Sequence, residues 1–128
     1  MLQQAPPKTA EDPRFLALGW HVEGGVLVLD DHVEALFMPA PLASRVHHVL
    51  AVHMLAGPAI AYPDHWALLT GPDVRELPED GVFGAVRTSH PGDRVPLPPL
   101  DGADWVTGPT DPPSWQTVVS ATRRAAAR

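Results

Sequence analysis

The chain has 128 residues, 45% of them apolar and 19% charged, and a net charge of −6 at pH 7, which indicates one globular domain and excludes disorder throughout. The sequence has no cysteine, which excludes disulfide bonds, thiol catalysis and cysteine-ligated metal sites and is compatible with a cytoplasmic setting. No apolar run is long enough for a signal peptide or a membrane span, so we expect no membrane partner.

The beginning of the chain is polar and contains proline. Residues 1–14 are predicted to form a flexible arm in front of a single domain at residues 15–128. The sixteen prolines limit the length of strands and helices, because proline cannot donate to a sheet ladder and breaks helix interiors. Residues 15–22 predict a first strand, with a short helical turn as the alternative.

A predicted hairpin follows this segment. The glycines at positions 24 and 25 predict a turn, and residues 26–29, which are β-branched and aliphatic, predict a strand. Asp30 and Asp31 supply turn chemistry before the strand at residues 32–38. We therefore expect strands 26–29 and 32–38 to pair.

The clearest pattern in the chain is a β-α-β-β unit. The strand at residues 32–38 leads into a helix over residues 42–56, which a proline opens and a Gly-Pro pair stops. Two short strands, 59–62 and 66–70, then flank a turn at residues 63–65. This unit predicts a sheet that has one helix packed against it.

The helix has two faces when its residues are spaced at 100°. One arc contains Leu42, Val46, Val49, Leu50 and His53. The residues roughly opposite are Ser44, His47 and His48. We therefore expect His53 to be a hydrogen-bonded core residue and the other two histidines to lie outside the core. These spacings do not provide the two histidines, one turn apart, of a helical zinc site.

Proline and glycine separate the remaining elements. Residues 81–89 predict a strand, residues 93–100 an edge strand or a polyproline-like segment, and residues 104–107 a short strand. A final helix has Asp111 as its predicted N-cap, and its core-facing stripe contains Trp115, Val118, Val119, Thr122 and Ala126. Together the elements predict an α+β two-layer sandwich, with one mixed or antiparallel sheet of short strands and two helices in the order β-β-α-β-β-β-β-α.

Charge is distributed unevenly along the chain. Residues 1–111 contain all fifteen acids and six of the nine bases, giving −9, whereas residues 112–128 carry +3. An acidic body repels phosphate backbones, which disfavours extensive nucleic-acid binding. The candidate patch for a nucleic acid or a partner is the cluster of Arg123, Arg124 and Arg128. The simpler interpretation of this cluster is that it complements the negative end of a helix dipole.

Two turns carry residues that can bind hard divalent cations. Asp30, Asp31 and His32 lie in one turn, and Asp64 and His65 lie in another. If the two turns met at one end of the sheet, a metal site could form from Asp30, Asp31 and His65. The alternative is that aspartate and histidine occur here because they make and tolerate turns. The candidate catalytic histidines are His32, His65 and His90.

Three segments follow one another as a strand ending in acids, a hairpin with a histidine, and a late segment with paired prolines. They are residues 25–31 (GVLVLDD), residues 57–70 (GPAIAYPDHWALLT) and residues 81–99 (GVFGAVRTSHPGDRVPLPP). This order resembles the archaeo-eukaryotic primase-polymerase family, in particular small actinobacterial proteins that carry its N-terminal domain. The resemblance implies that His65 contacts the phosphates of a nucleotide and that the two acids bind a divalent metal, Mg or Mn.

The chain also departs from this family. Its first two acids, Asp30 and Asp31, are adjacent, whereas the family separates them by one residue, and the third carboxylate has only Asp80 and Asp93 as candidates. A two-metal polymerase holds its ions about 4 Å apart and grips a template, which a small acidic chain does not favour. The resemblance therefore implies a catalytically degenerate, minimal relative.

Three functions are compatible with the sequence. The preferred one is a non-catalytic primase-polymerase-like module that acts through protein or nucleic-acid contacts, in a regulatory role. The second is a small enzyme or ligand-binding protein with His32, His65 and His90 in one cleft. The third is a structural domain that forms homo-oligomers through exposed tryptophans, for which the candidates are Trp20, Trp105 and Trp115. Because the preferred function is non-catalytic, we expect a protein that is not an enzyme.

Overall fold

The computed structural model of the protein describes residues 13–30, 32–71, 77, 81–99, 102 and 104–127. These residues form three helices and eight strands. The elements in chain order are α1 (Pro13–Ala17), β1 (His21–Glu23), β2 (Val26–Val28), β3 (Glu34–Pro39), α2 (Ala40–Val52), β4 (Ala59–Ala61), β5 (His65–Thr70), β6 (Arg87–Thr88), β7 (Arg94–Pro96), β8 (Trp105–Thr107) and α3 (Trp115–Ala126). Among them, no helix has both the length and the apolar character needed to cross a bilayer.

The described strands form two antiparallel sheets, with strand orders β1-β2-β7 and β6-β3-β5-β4-β8. The α+β class is therefore confirmed, but the expected single sheet is divided in two. The division arises because the proline-rich β7 pairs with β2, placing Val95 opposite Leu27, rather than joining the larger sheet. The prediction that this proline-rich segment forms an edge is confirmed, since β2 is the one described strand that pairs with β7.

The predicted hairpin between residues 26–29 and 32–38 is wrong, because these strands belong to different sheets. The Asp30 carboxylate instead accepts hydrogen bonds from the backbone N–H of His32 at 2.8 Å and of Val33 at 3.4 Å. This turn redirects the chain from the small sheet to the large one. The hairpin joins β1 to β2 through Gly24 and Gly25, whose φ angles of 57° and 79° suit glycine.

The segment predicted as a first strand is divided between α1 and β1. Phe15 and Trp20 are both buried and stack with their ring centroids 5.8 Å apart. The backbone N–H of Trp20 donates to the Phe15 carbonyl at 3.0 Å. The favoured strand is therefore wrong for the first part of this segment, because a helical turn brings the two rings together.

The large sheet is covered on both faces. Leu36 and Met38 of β3 pack in one apolar cluster with α2 and α3, including Val46 and Val118. The alternate residue Ala35 packs in a second cluster with the small sheet. Successive side chains of β3 thus alternate between the face that packs against the helices and the face that packs against the small sheet.

Helix α2 ends at Val52, four residues before its predicted end. Met54 adopts a φ angle of 59°, and its N–H donates to the Ala51 carbonyl while the Leu55 N–H donates to that of Leu50. This pair of bonds is a Schellman motif, in which the left-handed position favours glycine. His53 is consequently outside the helix and exposed, so the prediction that it is a core residue is wrong.

Helix α3 also begins later than predicted. Ser114, rather than Asp111, is the N-cap, and its hydroxyl accepts from the Thr117 N–H at 3.1 Å. Trp115, Val118 and Thr122 of the predicted stripe are buried. The half-exposed residues of that stripe are Val119 and Ala126, and Ala121 and Ala125 are buried instead.

The predicted strand at residues 81–89 is also shorter than expected. Only Arg87–Thr88 pairs with β3, and the residues before it form a turn. Phe83 and Val86 of this turn are buried against the helix layer. Most of the residues expected to form a strand thus form a turn, which is held by the packing of these two side chains.

We predict that Gly57→Ala lowers the free energy of unfolding by about 1–3 kcal/mol, because overpacking strains a closed contact. A Cβ at Gly57 would overlap the Pro113 ring, on the segment that enters α3. Gly108→Ala is the control, since open space surrounds that position. Urea unfolding of both variants gives the two values, and equal values would contradict the proposed contact.

We also predict that Met54→Gly raises the free energy of unfolding by about 1 kcal/mol, because glycine adopts the left-handed conformation without steric cost. The Met54 side chain is 91% exposed, so its removal loses little packing. The matched control is Val52→Gly, which weakens the last turn of α2 and should lower stability. A destabilised Met54→Gly protein would show that the methionine side chain supports the fold.

Candidate ligand-binding site

A cleft of about 430 Å³ opens where the start of β5 approaches β7 of the small sheet. The ladder between β3 and β5 places His65 opposite Pro39, at the end of β3. The side chains at the cleft that can bind a ligand are Phe37, Tyr62, His65, Arg87, Asp93 and Arg94. We call this feature the His65 cleft.

His65 is oriented by its neighbours in the hairpin turn. Its Nδ1 hydrogen-bonds to the Asp64 carboxylate at 2.8 Å, and this bond holds the pKa of Asp64 below its usual value. The Tyr62 ring stacks on the imidazole with a centroid separation of 5.1 Å. With Nδ1 occupied by Asp64, Nε2 is the ring nitrogen available to a ligand.

Two arginines stand at the same cleft. The Arg87 guanidinium lies 4.3 Å from the Phe37 ring centroid and 3.7 Å from an Asp93 oxygen. Arg94 donates to Glu23 at 3.2 Å. Both arginine side chains are more than half exposed, so these pairs orient the guanidinium groups without sequestering them from solvent.

Tyr62 forms the wall that connects the two sheets at this cleft. Its hydroxyl donates to the Pro96 carbonyl at 2.6 Å, and its backbone N–H donates to the His65 carbonyl at 2.9 Å. Burial raises the pKa of Tyr62 to about 12. The hydroxyl is therefore a neutral, structural donor at physiological pH rather than an acid or base.

Sequence reasoning identified His65 but missed Arg87 and Arg94. The two arginines flank the turn at residues 90–93 and belong to different sheets. Only the tertiary pairing of β6 with β3 and of β7 with β2 brings them to the hairpin that carries His65. No local spacing in the sequence connects these three positions.

The other two candidate catalytic histidines lie elsewhere. His32 is exposed, with its Nδ1 3.7 Å from the Asp30 carboxylate. His90 is exposed in the turn before β7, where its backbone N–H donates to Asp93 at 2.9 Å. The expected common cleft of His32, His65 and His90 is therefore not found, because only His65 lines it.

The candidate metal ligands are also separated. Asp30 precedes β3, whose first residue, Glu34, pairs with Thr70, whereas His65 pairs with the last residue of β3. The two turns thus lie at opposite ends of the ladder, and the expectation that they meet is wrong. Asp31 and Asp80 lie outside the described residues, within which no group of three His, Cys, Asp or Glu could hold a metal ion. The residues that the structure describes do not fit the divalent metal that the resemblance implies.

The C-terminal arginines point to different neighbours. Arg124 donates to Nε2 of His53 at 3.1 Å, whereas the Arg123 guanidinium lies 5.4 Å from the Phe83 ring centroid. Both lie in the last turn of α3, where cations complement the helix dipole. Arg128 lies outside the described residues.

No family model, curated protein or solved structure matches this chain. Evidence of function comes from the geometry of the described residues and the chemistry of their side chains. By that criterion the His65 cleft is the strongest candidate site, since it joins an oriented imidazole, two guanidinium groups and two aromatic rings.

A second histidine joins the helix layer to the edge of the large sheet. Nε2 of His47 is hydrogen-bonded to the Thr107 hydroxyl at 2.7 Å, and its ring meets Trp66 edge-on at 6.3 Å. As expected, His47 is not among the buried core residues, but its side chain is half-buried rather than exposed. This burial, with a smaller contribution from the neighbouring His48, lowers the pKa of His47 below its ordinary value of 6.5.

We predict a loss of stability in mild acid that depends on His47. Its pKa is lower in the folded state, so the unfolded chain takes up the proton first and stability falls as the pH drops below about 6.5. His47→Gln should lose less stability than the wild type between about pH 7.5 and pH 5.5. Thermal unfolding at both pH values measures the difference, and His90→Gln, which should retain the wild-type loss, is the control.

Proposed function

We propose that the protein is a primase-polymerase-like binding module that holds the phosphate groups of a nucleotide in the His65 cleft. The observation that carries the proposal is the convergence of His65, Arg87 and Arg94 on one cleft. The sequence resemblance independently assigns phosphate contact to the histidine. The two arginines add the groups that phosphate recognition uses most often.

The chemistry of the cleft suits a small anionic ligand that carries a ring. Guanidinium groups donate paired hydrogen bonds to phosphate oxygens, and Nε2 of His65 donates a third one when the imidazole is protonated. The Phe37 and Tyr62 rings provide apolar walls for a planar group. The exposed pairs of Arg87 with Asp93 and of Arg94 with Glu23 are weak, so a phosphate can compete with these carboxylates.

Charge and size favour a single nucleotide over a long strand. The chain carries −6 overall, which repels an extended phosphate backbone, whereas the cleft brings two arginines together beside the carboxylates of Asp64 and Asp93. Its volume of about 430 Å³ is that of a small-molecule site. Binding of one nucleotide therefore needs no broad basic surface.

The proposal concerns binding rather than strand extension. Polymerases position two metal ions with carboxylates beside the nucleotide phosphates. Here an Asp30 oxygen accepts two backbone hydrogen bonds, and Asp30 lies at the opposite end of the β3–β5 ladder from His65. The carboxylate of Asp30, the first acid of the expected metal centre, thus stabilises the turn between the two sheets.

A second candidate function is hydrolysis of the bound ligand. The Asp64 carboxylate fixes the His65 tautomer through Nδ1, and a neutral Nε2 can then act as a general base on water. Asp64 is almost fully exposed, so the pair is less preorganised than a buried dyad. Release of inorganic phosphate that is abolished by His65→Ala would favour this candidate.

We predict that ATP binds to the cleft and that His65→Ala and Arg94→Ala each weaken the binding about 10-fold or more. Loss of one hydrogen bond to a charged group accounts for a change of this size. Calorimetry and amide NMR shifts, with ATP and with inorganic phosphate, measure affinity and location. The matched controls are the exposed His48→Ala and Arg45→Ala on α2, which should bind like the wild type.

The proposal fails if millimolar ATP shifts no signal at residues 62–65 and 87–95. It also fails if the cleft variants and the α2 controls lose affinity equally, because nonspecific charge would then account for binding. A response to phosphate equal to that to ATP would restrict the site to anions and remove the nucleoside from the proposal.

A further inference from the structure

The helix layer of the protein carries cations but no carboxylates. Helices α2 and α3 contain no acidic residue, although the chain has fifteen, and their charged residues are Arg45, Arg123 and Arg124. All fifteen acids therefore lie outside these two helices. This distribution gives the helix layer a charge opposite to that of the rest of the chain.

Exposed apolar side chains concentrate at the end of α2. Of the five large hydrophobic residues exposed in the described part of the chain, three lie within four positions: Val52 at 63%, Met54 at 91% and Leu55 at 48%. Single exposed apolar residues are ordinary, but a contiguous group indicates an interaction surface. Leu55 of this group lines a groove together with residues of the basic helix α3.

A groove of about 470 Å³ runs between the end of α2 and α3. Val49, Leu50, Leu55 and Ala121 supply its apolar lining. The hydroxyls that line it belong to Ser114, Thr117 and Ser120. Arg124 stands at the same groove and donates to His53, and none of the lining residues is acidic. The groove thus offers apolar contacts, hydroxyl groups and one oriented cation.

Met54 lies in the chain between His53 and Leu55, which line this groove, and its backbone conformation is unfavourable for methionine. Its φ angle of 59° is one that favours glycine, and its side chain is 91% exposed. Strained backbone of this kind occurs preferentially at functional positions. Because this exposed side chain adds little packing to the folded monomer, it is available for contact with a partner.

We propose that this groove docks an amphipathic segment of a partner protein that carries acidic side chains beside its apolar ones. The apolar residues of the segment would pack against Leu55 and Met54, and a carboxylate would pair with Arg124. Methionine suits such a surface because its flexible thioether adapts to different apolar partners. The inference uses residues remote from the His65 cleft and does not depend on the function proposed there.

Other occupants fit less well. A nucleic acid would meet an apolar lining and few cations, and a bilayer would meet a concave surface. A second copy joined symmetrically would bring two cation-bearing, acid-free helix layers together. An acidic peptide alone matches both the apolar contacts and the charge.

The experiment titrates the full ¹⁵N-labelled chain with two synthetic helical peptides that share their leucine positions, one with glutamate and one with lysine elsewhere. We expect the glutamate peptide to bind about 10-fold tighter or more, with amide shifts at residues 49–55 and 114–124. Met54→Gly should weaken binding about fivefold or more while raising the melting temperature, and Arg124→Glu should remove the preference for glutamate.

The controls are Leu16→Ala, an exposed leucine elsewhere, and His65→Ala, which should both bind the glutamate peptide like the wild type. Equal binding of the two peptides, no binding of either, or shifts outside the groove would overturn the proposal. Preferential binding to anionic vesicles, or a concentration-dependent mass with shifts at the groove, would also overturn it in favour of a membrane or a second copy.

Discussion

The antiparallel ladder between β3 and β5 is the constraint on which the rest of the structure depends. Six consecutive residue pairs, from Glu34 with Thr70 to Pro39 with His65, determine which strand ends lie together at each end of the ladder. The same register puts Leu36 on the helix side and Ala35 on the side of the small sheet. A slip of one residue would exchange these faces, so the burial of both faces enforces the register.

Proline determines how the second sheet arises. β7 ends at Pro96, which has no N–H to donate to a ladder, and it pairs with β2 at an edge. The hydroxyl of Tyr62 then joins this small sheet to the β4–β5 hairpin through the Pro96 carbonyl. The His65 cleft opens where the two sheets meet, so the division of the expected single sheet creates the candidate site.

The two proposed surfaces lie on opposite faces of the large sheet. Phe37 and Tyr62 at the cleft pack against the cluster under the small sheet, whereas Leu50 and Ala121 at the groove belong to the cluster under the helices. Each surface combines apolar contacts with arginine. Trp20, Trp105 and Trp115, the tryptophans predicted to mediate oligomerisation, are buried in these clusters, so the expectation that they are exposed is wrong.

The sequence by itself determined the α+β class, helix α2, the β4–β5 hairpin and most of the α3 stripe, because periodicity and turn residues act over a few neighbouring positions. It also singled out His65. Only the tertiary structure decided that β7 pairs with β2, that Arg87 and Arg94 join His65, and that Asp30 lies at the other end of the ladder. The tertiary structure also decided the exposure of His53 and the partial burial of His47: Met54 ends the helix early, and Thr107 from a distant strand forms a hydrogen bond with His47. Strand partners and such hydrogen bonds are set by long-range packing, which leaves no local periodicity to detect.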